Sequence, residues 1–165
     1  MKNRRFLWTA GVFSRIGRFL VLGILALGAT QALAVPTEER NALIALYNAT
    51  GGASWANSTG WLGAPGTECD WYGVTCVGGV DGNVNFLDLP FNGLSGSIPA
   101  ELGQLTQLNG LSLFGNELSG PIPVELGGLS NLGVLDLGWN QLTGSIPAQL
   151  GSLTNLSNLN VGGNQ

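Results

Sequence analysis

Two carboxylates, Asp88 and Asp136, are the residues with the clearest potential for chemistry, and Ser112 lies midway between them in the chain. If the three sit on successive strands of a parallel sheet, the carboxylates are roughly 10 Å apart at the backbone. Glycosidases can use an acid and a base at about that separation. The other interpretation is a solvated polar column. We favour it, and predict no enzyme, because nothing in the sequence would enclose the pair in a cleft or give the two carboxyls different roles.

Other catalytic and metal-binding patterns are incomplete. The chain contains no histidine, which excludes Ser-His-Asp and Cys-His arrangements and removes the commonest metal ligand. Asp81, Asn83 and Asn85 have the spacing that opens a calcium loop. However, Phe86 stands where that loop needs glycine, and Asn92 replaces its closing glutamate. We interpret this segment as a hairpin turn leading into a strand, and we predict no metal and no cofactor.

Residues 1–34 have the three-part pattern of a secretory signal peptide. Basic residues come first, an apolar stretch follows from Phe19, and small residues at 32–34 predict cleavage before Val35. An uncleaved membrane anchor is the alternative, because residues 19–35 carry no charge over seventeen positions. The pattern predicts a secreted, periplasmic or cell-surface protein. If the host glycosylates exported proteins, three N-x-S/T sequons become relevant: Asn48, Asn57 and Asn155.

The charge distribution excludes one class of partner. Five of the six basic residues lie in the leader and all ten acidic residues follow it, so the remainder carries a formal charge of −9. A chain whose only cation is Arg40 cannot neutralise a phosphate backbone, so we predict no nucleic-acid binding. An anionic membrane surface is disfavoured for the same reason.

Cys69 and Cys76 are the only cysteines. Two thiols without histidine are too few for a structural zinc site. In an exported chain we predict that they form a disulfide.

A 24-residue repeat must position the candidate side chains. The pattern LxxLxLxxN occurs four times in register, which is typical of leucine-rich repeats. Its period of two predicts a short strand with one buried face, which is covered only when units stack and their strands pair in parallel. The amide that ends each pattern can both donate and accept hydrogen bonds inside the turn. We therefore predict a structural ladder of Asn92, Asn116, Asn140 and Asn164.

The rest of each unit reads NxLxGxIPxxLGxLxxL, as in "LSGSIPAELGQL", "LSGPIPVELGGL" and "LTGSIPAQLGSL". Its first glycine permits a tight turn, its proline interrupts regular strand pairing, and a short helical turn is expected around residues 100–102. These segments resemble the plant-type leucine-rich repeats of receptor-kinase ectodomains and polygalacturonase-inhibiting proteins. The resemblance implies a second strand after each asparagine. The chain ends just after the fourth asparagine, so we expect either a fragment of a longer protein or an end that a partner covers.

The segment before the repeats resembles the N-terminal cap of the same family. Thr37 is the expected N-cap of an amphipathic helix, and "CDWYGVTC" at residues 69–76 matches the CxWxGVxC spacing of that cap. The predicted fold is an α/β solenoid, a right-handed leucine-rich-repeat superhelix with parallel strands on its concave face and an N-terminal helical cap. We divide it into a signal peptide at 1–34, a cap at 35–83 and repeats at 84–165, with three full 24-residue units and a partial fourth.

The outward positions of the predicted strands form the candidate binding surface. It combines aromatic anchors with a polar column, a composition typical of recognition sites. An alternative for Trp139 and for Phe91 is that they pack on neighbouring turns. The candidate ligand-binding residues are Phe86, Asp88, Ser112, Phe114, Asp136, Trp139 and Asn160.

We interpret the chain as an exported recognition module that binds a protein, peptide or glycan through its strand face, with no membrane contact after signal cleavage. One alternative, which the family resemblance implies, is an inhibitor of a secreted glycan-degrading enzyme. The other is an ectodomain fragment of a longer receptor.

Overall fold

The computed structural model describes residues 35–78 and 82–165. The predicted signal peptide and the tip of the predicted hairpin at residues 79–81 lie outside the described residues. In the part of the chain that is described, no helix is long and apolar enough to cross a membrane.

The cap begins with one α-helix, α1, at Thr37–Ala49. Two 3₁₀ turns follow at Gly52–Ser54 and Glu68–Asp70, and the first strand, β1, is Val74–Cys76. The prediction that Thr37 is the N-cap is wrong. Pro36 occupies that position with a φ of −47°, and Thr37 is the first helical residue, with no side-chain cap. The fixed φ of proline suits the residue that leads into a helix.

The repeats form two sheets. Their strands are β2 Val84–Asp88, β3 Ser95–Ser97, β4 Gly110–Ser112, β5 Glu117–Gly120, β6 Val134–Asp136, β7 Gln141–Leu142 and β8 Asn158–Asn160. The larger sheet is five-stranded in the order β1-β2-β4-β6-β8, in which β1 runs antiparallel to β2 and the others are parallel. The smaller sheet, in the order β3-β5-β7, is parallel and consists of the second strand that follows Asn92, Asn116 and Asn140.

Each unit returns to the larger sheet through a 3₁₀ turn, at Ala100–Gln104, Val124–Gly128 and Ala148–Ser152. Leu87 pairs with Leu111, Leu111 with Leu135, and Leu135 with Leu159, so the register equals the sequence period. The leucines of the first two units are fully buried between the two sheets and the 3₁₀ turns, and those of the third unit are at most 6% exposed. The predicted α/β solenoid with parallel strands and a helical cap is confirmed.

The core of the cap is aromatic. Trp61 contacts Trp55 at 4.8 Å, Trp71 at 5.1 Å and Tyr47 at 6.0 Å between ring centroids. The indole N–H of Trp55 donates to the carbonyl of Thr50 at 2.9 Å, so its burial leaves no polar atom unpaired. Burying large aromatic rings strongly stabilises a small domain. These rings belong to the same hydrophobic core as the leucines of the repeats, so the cap closes one end of a continuous core.

Glu39 joins the cap helix to the first repeat. Its side chain is buried, and its carboxylate accepts hydrogen bonds from the side chain of Asn83 at 2.8 Å and from the backbone N–H of Val84 at 2.7 Å. An anionic acceptor makes such bonds stronger than neutral ones. A side chain of α1 therefore holds the start of β2, in addition to the pairing of Val84 with Cys76 in β1.

The Cys69–Cys76 disulfide links the second 3₁₀ turn to β1. Closing a loop with a sequence separation of 7 should stabilise the fold by roughly 2–3 kcal/mol in the chain-entropy model. Replacing both cysteines with serine should therefore lower the free energy of unfolding by that amount. Denaturant melts of the two proteins measure the difference, and mass spectrometry before and after reduction checks the bond. Two free thiols in exported protein would contradict the prediction.

Candidate functional site: the strand face

The outward residues of the larger sheet align in columns across the repeats. One column is Phe86, Gly110, Val134 and Asn158; the next is Asp88, Ser112, Asp136 and Asn160. Backbone hydrogen bonds continue beyond the strands, from the N–H of Phe91 to the carbonyl of Phe114 and from the N–H of Trp139 to the carbonyl of Gly162. The alignment therefore extends to the positions just before each asparagine. We call these two columns and the residues at 90–91, 114–115, 138–139 and 162–163 the strand face.

A shallow hollow of about 350 Å³ lies at the cap end of the strand face. Gly110 is buried there beneath the ring of Phe86, and Val134 is partly exposed on the far side. Asp88 and Ser112 supply a carboxylate and a hydroxyl to the same hollow. An apolar concavity of this size with a few polar groups is typical of a small binding site.

The polar column is ordered by its own hydrogen bonds in the last two units. One carboxylate oxygen of Asp136 accepts from the backbone N–H of Gly138 at 3.1 Å and from the side chain of Asn160 at 3.0 Å. The side chain of Asn160 accepts in turn from the N–H of Gly162 at 3.1 Å. Asp88, at the other end of the column, is exposed. The column therefore presents acidic and amide groups in fixed positions.

Each aromatic residue of the strand face precedes a glycine by 24 residues. The ring of Phe86 lies over Gly110, that of Phe91 over Gly115 and that of Trp139 over Gly163, where a β-carbon would approach each ring to within 2.5–3.2 Å. Phe114 is half-buried and meets Phe91 edge-on at 5.2 Å. The two interpretations of Trp139 are therefore compatible, because it packs on the next turn yet remains 70% exposed.

The structure brings together only some of the predicted ligand-binding residues. Phe86, Asp88 and Ser112 line one hollow, Asp136 and Asn160 are bonded to each other, and Trp139 lies at the margin of the sheet. Sequence reasoning omitted Gly110 and Val134 from the hollow, and it did not rank Phe91 among the candidates. The signal that would have found Phe91 is the glycine one repeat later.

The four asparagines of the ladder connect consecutive repeats. Asn116 accepts from the backbone N–H groups of Asn92 and Leu94 at 2.9 and 3.1 Å, and donates to the carbonyls of Leu89 and Leu113 at 2.9 Å. Asn140 and Asn164 donate to carbonyls in the same way one and two units later, and each accepts from one backbone N–H, that of Leu118 and of Leu142 respectively. In the first unit the side chain of Asn92 instead bonds the backbone of Asn57 in the cap. The geometry gives the asparagines a structural rather than a ligand-binding part.

The strand face carries no basic side chain. Arg40, the one Lys or Arg of residues 35–165, is held in the cap by an ion pair with Glu68. Across residues 35–78 and 82–165, no group of three or more His, Cys, Asp or Glu side chains could hold a metal ion. The surface therefore offers acidic, amide, hydroxyl and aromatic groups to a ligand.

Comparisons with known proteins agree with this architecture. The family model described as Leucine Rich Repeat matches residues 83–105, 107–129 and 131–153. A search of the curated proteins found no match. Among solved structures, the ectodomain of the receptor kinase SOBIR1 from Arabidopsis thaliana aligns with a TM-score of 0.66 and 26% identity, over 81% of this chain and 70% of that one.

Two further Arabidopsis receptor kinases are similar. The HAESA structure, a complex with the peptide hormone IDA and the co-receptor SERK1, has a TM-score of 0.67 and 30% identity, over 78% of this chain and 22% of that one. The GASSHO1/SCHENGEN3 ectodomain, in complex with CASPARIAN STRIP INTEGRITY FACTOR 2, has a TM-score of 0.57 and 47% identity, over 58% and 12%. The chain thus spans less than a quarter of either of these two. The repeat pattern, the two sheets and the family match show leucine-rich repeats within residues 83–153, and these similarities support a plant-type leucine-rich-repeat protein.

Proposed function

We propose that the chain is an exported, non-catalytic recognition module that binds a protein or peptide ligand on its strand face. The observation that carries this proposal is the hollow between Phe86 and Val134. Its aromatic wall, the ring of Phe86, is 45% exposed. Exposed aromatic residues beside fixed polar groups are typical of binding anchors.

The comparisons support the same function. The similar HAESA structure contains the peptide hormone IDA. The similar GASSHO1/SCHENGEN3 ectodomain has been solved in complex with CASPARIAN STRIP INTEGRITY FACTOR 2. Because these ectodomains belong to receptor kinases, they also support the proposal that this chain is secreted or displayed at the cell surface. A part in a receptor ectodomain is therefore the second candidate. A glycan ligand and inhibition of a glycan-degrading enzyme would be outcomes of the experiment below.

The test is to capture a partner from the extracellular fraction of the host and to measure its affinity for variants of the strand face. Phe86→Ala should weaken binding by about tenfold or more, as expected for a hot-spot aromatic. Its ring lies over Gly110 rather than in the core, so the variant should remain folded.

The matched controls are Glu101→Gln and Glu125→Gln. Both side chains are exposed on the 3₁₀ turns, away from the larger sheet. They should leave the affinity unchanged. If these two changes abolish binding while Phe86→Ala does not, the strand face is not the site.

A further inference from the structure

The strand face alternates with a period of two repeats. Residues 88–92 read DLPFN and residues 136–140 read DLGWN, whereas residues 112–116 read SLFGN and residues 160–164 read NVGGN. An acid and an exposed aromatic residue thus recur together every 48 residues, and a neutral polar residue with glycine takes their places in between.

The two aromatic residues of this alternation occupy strained backbone positions. Phe91 has a φ of +51° and Trp139 a φ of +54°, while Gly115 and Gly163 at the same position of the other units have +67° and +72°. A left-handed conformation is disfavoured for any residue with a β-carbon. Stability alone therefore favours glycine at all four positions. The large rings are kept where they are 71% and 70% exposed, and such an outlier points to function.

The spacing of these groups defines the ligand. Two strand steps place Phe91 and Trp139 roughly 9.5 Å apart across the sheet, and Asp88 and Asp136 the same distance apart. A polyproline-II helix advances about 9.3 Å per turn of three residues. A peptide lying across the strands in that conformation therefore presents equivalent side chains with the period of the surface.

The two columns also select the side chains of such a peptide. A proline ring packs on an exposed aromatic face, and the rigid helix loses little entropy on binding. Asp88 lies three residues before Phe91, and Asp136 lies three residues before Trp139. The long stem of a lysine or arginine in the peptide can span that distance between the aromatic ring and the carboxylate. Arg40 is paired in the cap, so no basic side chain of the described repeats competes for Asp88 or Asp136.

We propose that Phe91 and Trp139, with Asp88 and Asp136, bind a cationic polyproline-II peptide in which proline and lysine or arginine each recur every third residue. This inference rests on the proposed function and names its ligand class. An extended β-linked glycan could also stack on two separated rings. The charge of the surface favours the peptide, because a cationic side chain is attracted electrostatically to the carboxylates and a neutral sugar is not.

The probe is the synthetic peptide (Pro-Pro-Lys)₄, titrated into the purified full chain by calorimetry. Binding should weaken as the salt concentration rises, because the lysines of the peptide and the two carboxylates interact in contact with solvent.

Phe91→Gly and Trp139→Gly should each reduce the affinity by about tenfold. Both changes install the residue that the other repeats carry at that position, so the fold should be retained, as circular dichroism can verify. Asp88→Asn with Asp136→Asn should flatten the salt dependence, and Glu125→Gln should change nothing.

A block peptide of eight prolines followed by four lysines has the same composition and charge without the three-residue alternation. Equal affinity for this peptide would overturn the proposal, as would binding of a cello-oligosaccharide in place of (Pro-Pro-Lys)₄. If no peptide binds while a captured partner still depends on Phe86, this inference fails and the proposed function stands. If partner binding is independent of Phe86 but (Pro-Pro-Lys)₄ binds through Phe91 and Trp139, the inference holds and the hollow is not the site.

Discussion

Replacing Arg40 with methionine should lower the free energy of unfolding by about 3–5 kcal/mol, the usual cost of removing one partner from a buried ion pair. Its guanidinium pairs with Glu68, donates to the carbonyl of Gly63 at 2.7 Å and lies 5.2 Å from the ring centroid of Trp71. The side chain of Glu68 is fully buried. Without the arginine, an uncompensated carboxylate would remain among the aromatic residues of the cap.

The double variant Arg40→Met with Glu68→Gln separates the charge effect from the loss of packing. It removes both charges, and we expect it to recover part of the lost stability in urea melts. Glu38→Gln is the matched control, because that carboxylate is exposed on the same helix. A cost below about 1 kcal/mol for Arg40→Met would mean that the pair behaves as a surface ion pair.

Asn116→Ala should also be severe, at about 3 kcal/mol or more, since two backbone N–H groups and one carbonyl lose their partner and each unsatisfied buried group costs about 1–3 kcal/mol. The N–H groups belong to Asn92 and Leu94 and the carbonyl to Leu89, whereas the carbonyl of Leu113 also accepts from Asn140 at 2.9 Å and keeps that partner. Asn116→Asp keeps the acceptor and removes the donors. It should therefore be destabilising as well, because its carboxylate would face two carbonyl oxygens.

The control for the ladder is Asn109→Ala, a change at an exposed position next to β4. It should cost less than about 0.5 kcal/mol in the same denaturant melts. Equal costs at Asn109 and Asn116 would contradict the register of the repeats.

The register of the solenoid was predictable because parallel strands in stacked repeats pair at the sequence period. Leu87 opposite Leu111 follows from the 24-residue spacing alone, and so does the alignment of Asp88 with Ser112. The beginning of the cap helix was harder to predict from the sequence. Thr37 has a side chain suited to capping, but Pro36 occupies the N-cap position because of its backbone geometry.

The arrangement of the strand face was only partly predictable. The sequence indicates which side chains point outward, but the direction in which the ring of Phe91 leans depends on a positive φ that its residue type disfavours. The hydrogen bonds of Asp136 depend on side-chain rotamers, which no periodicity encodes. The sequence pattern therefore identified the aromatic and acidic groups of the strand face without showing how their side chains are arranged.

The fit of the rings of Phe86, Phe91 and Trp139 onto a glycine one repeat later limits how this solenoid can be lengthened. Identical copies of residues 84–107 would place a phenylalanine where Gly115 now lies, against the ring of Phe91. Copies of residues 84–131 would instead follow each aromatic unit with a glycine unit. The block that can be duplicated, in a gene or in a designed array, is therefore the pair of repeats rather than the single one.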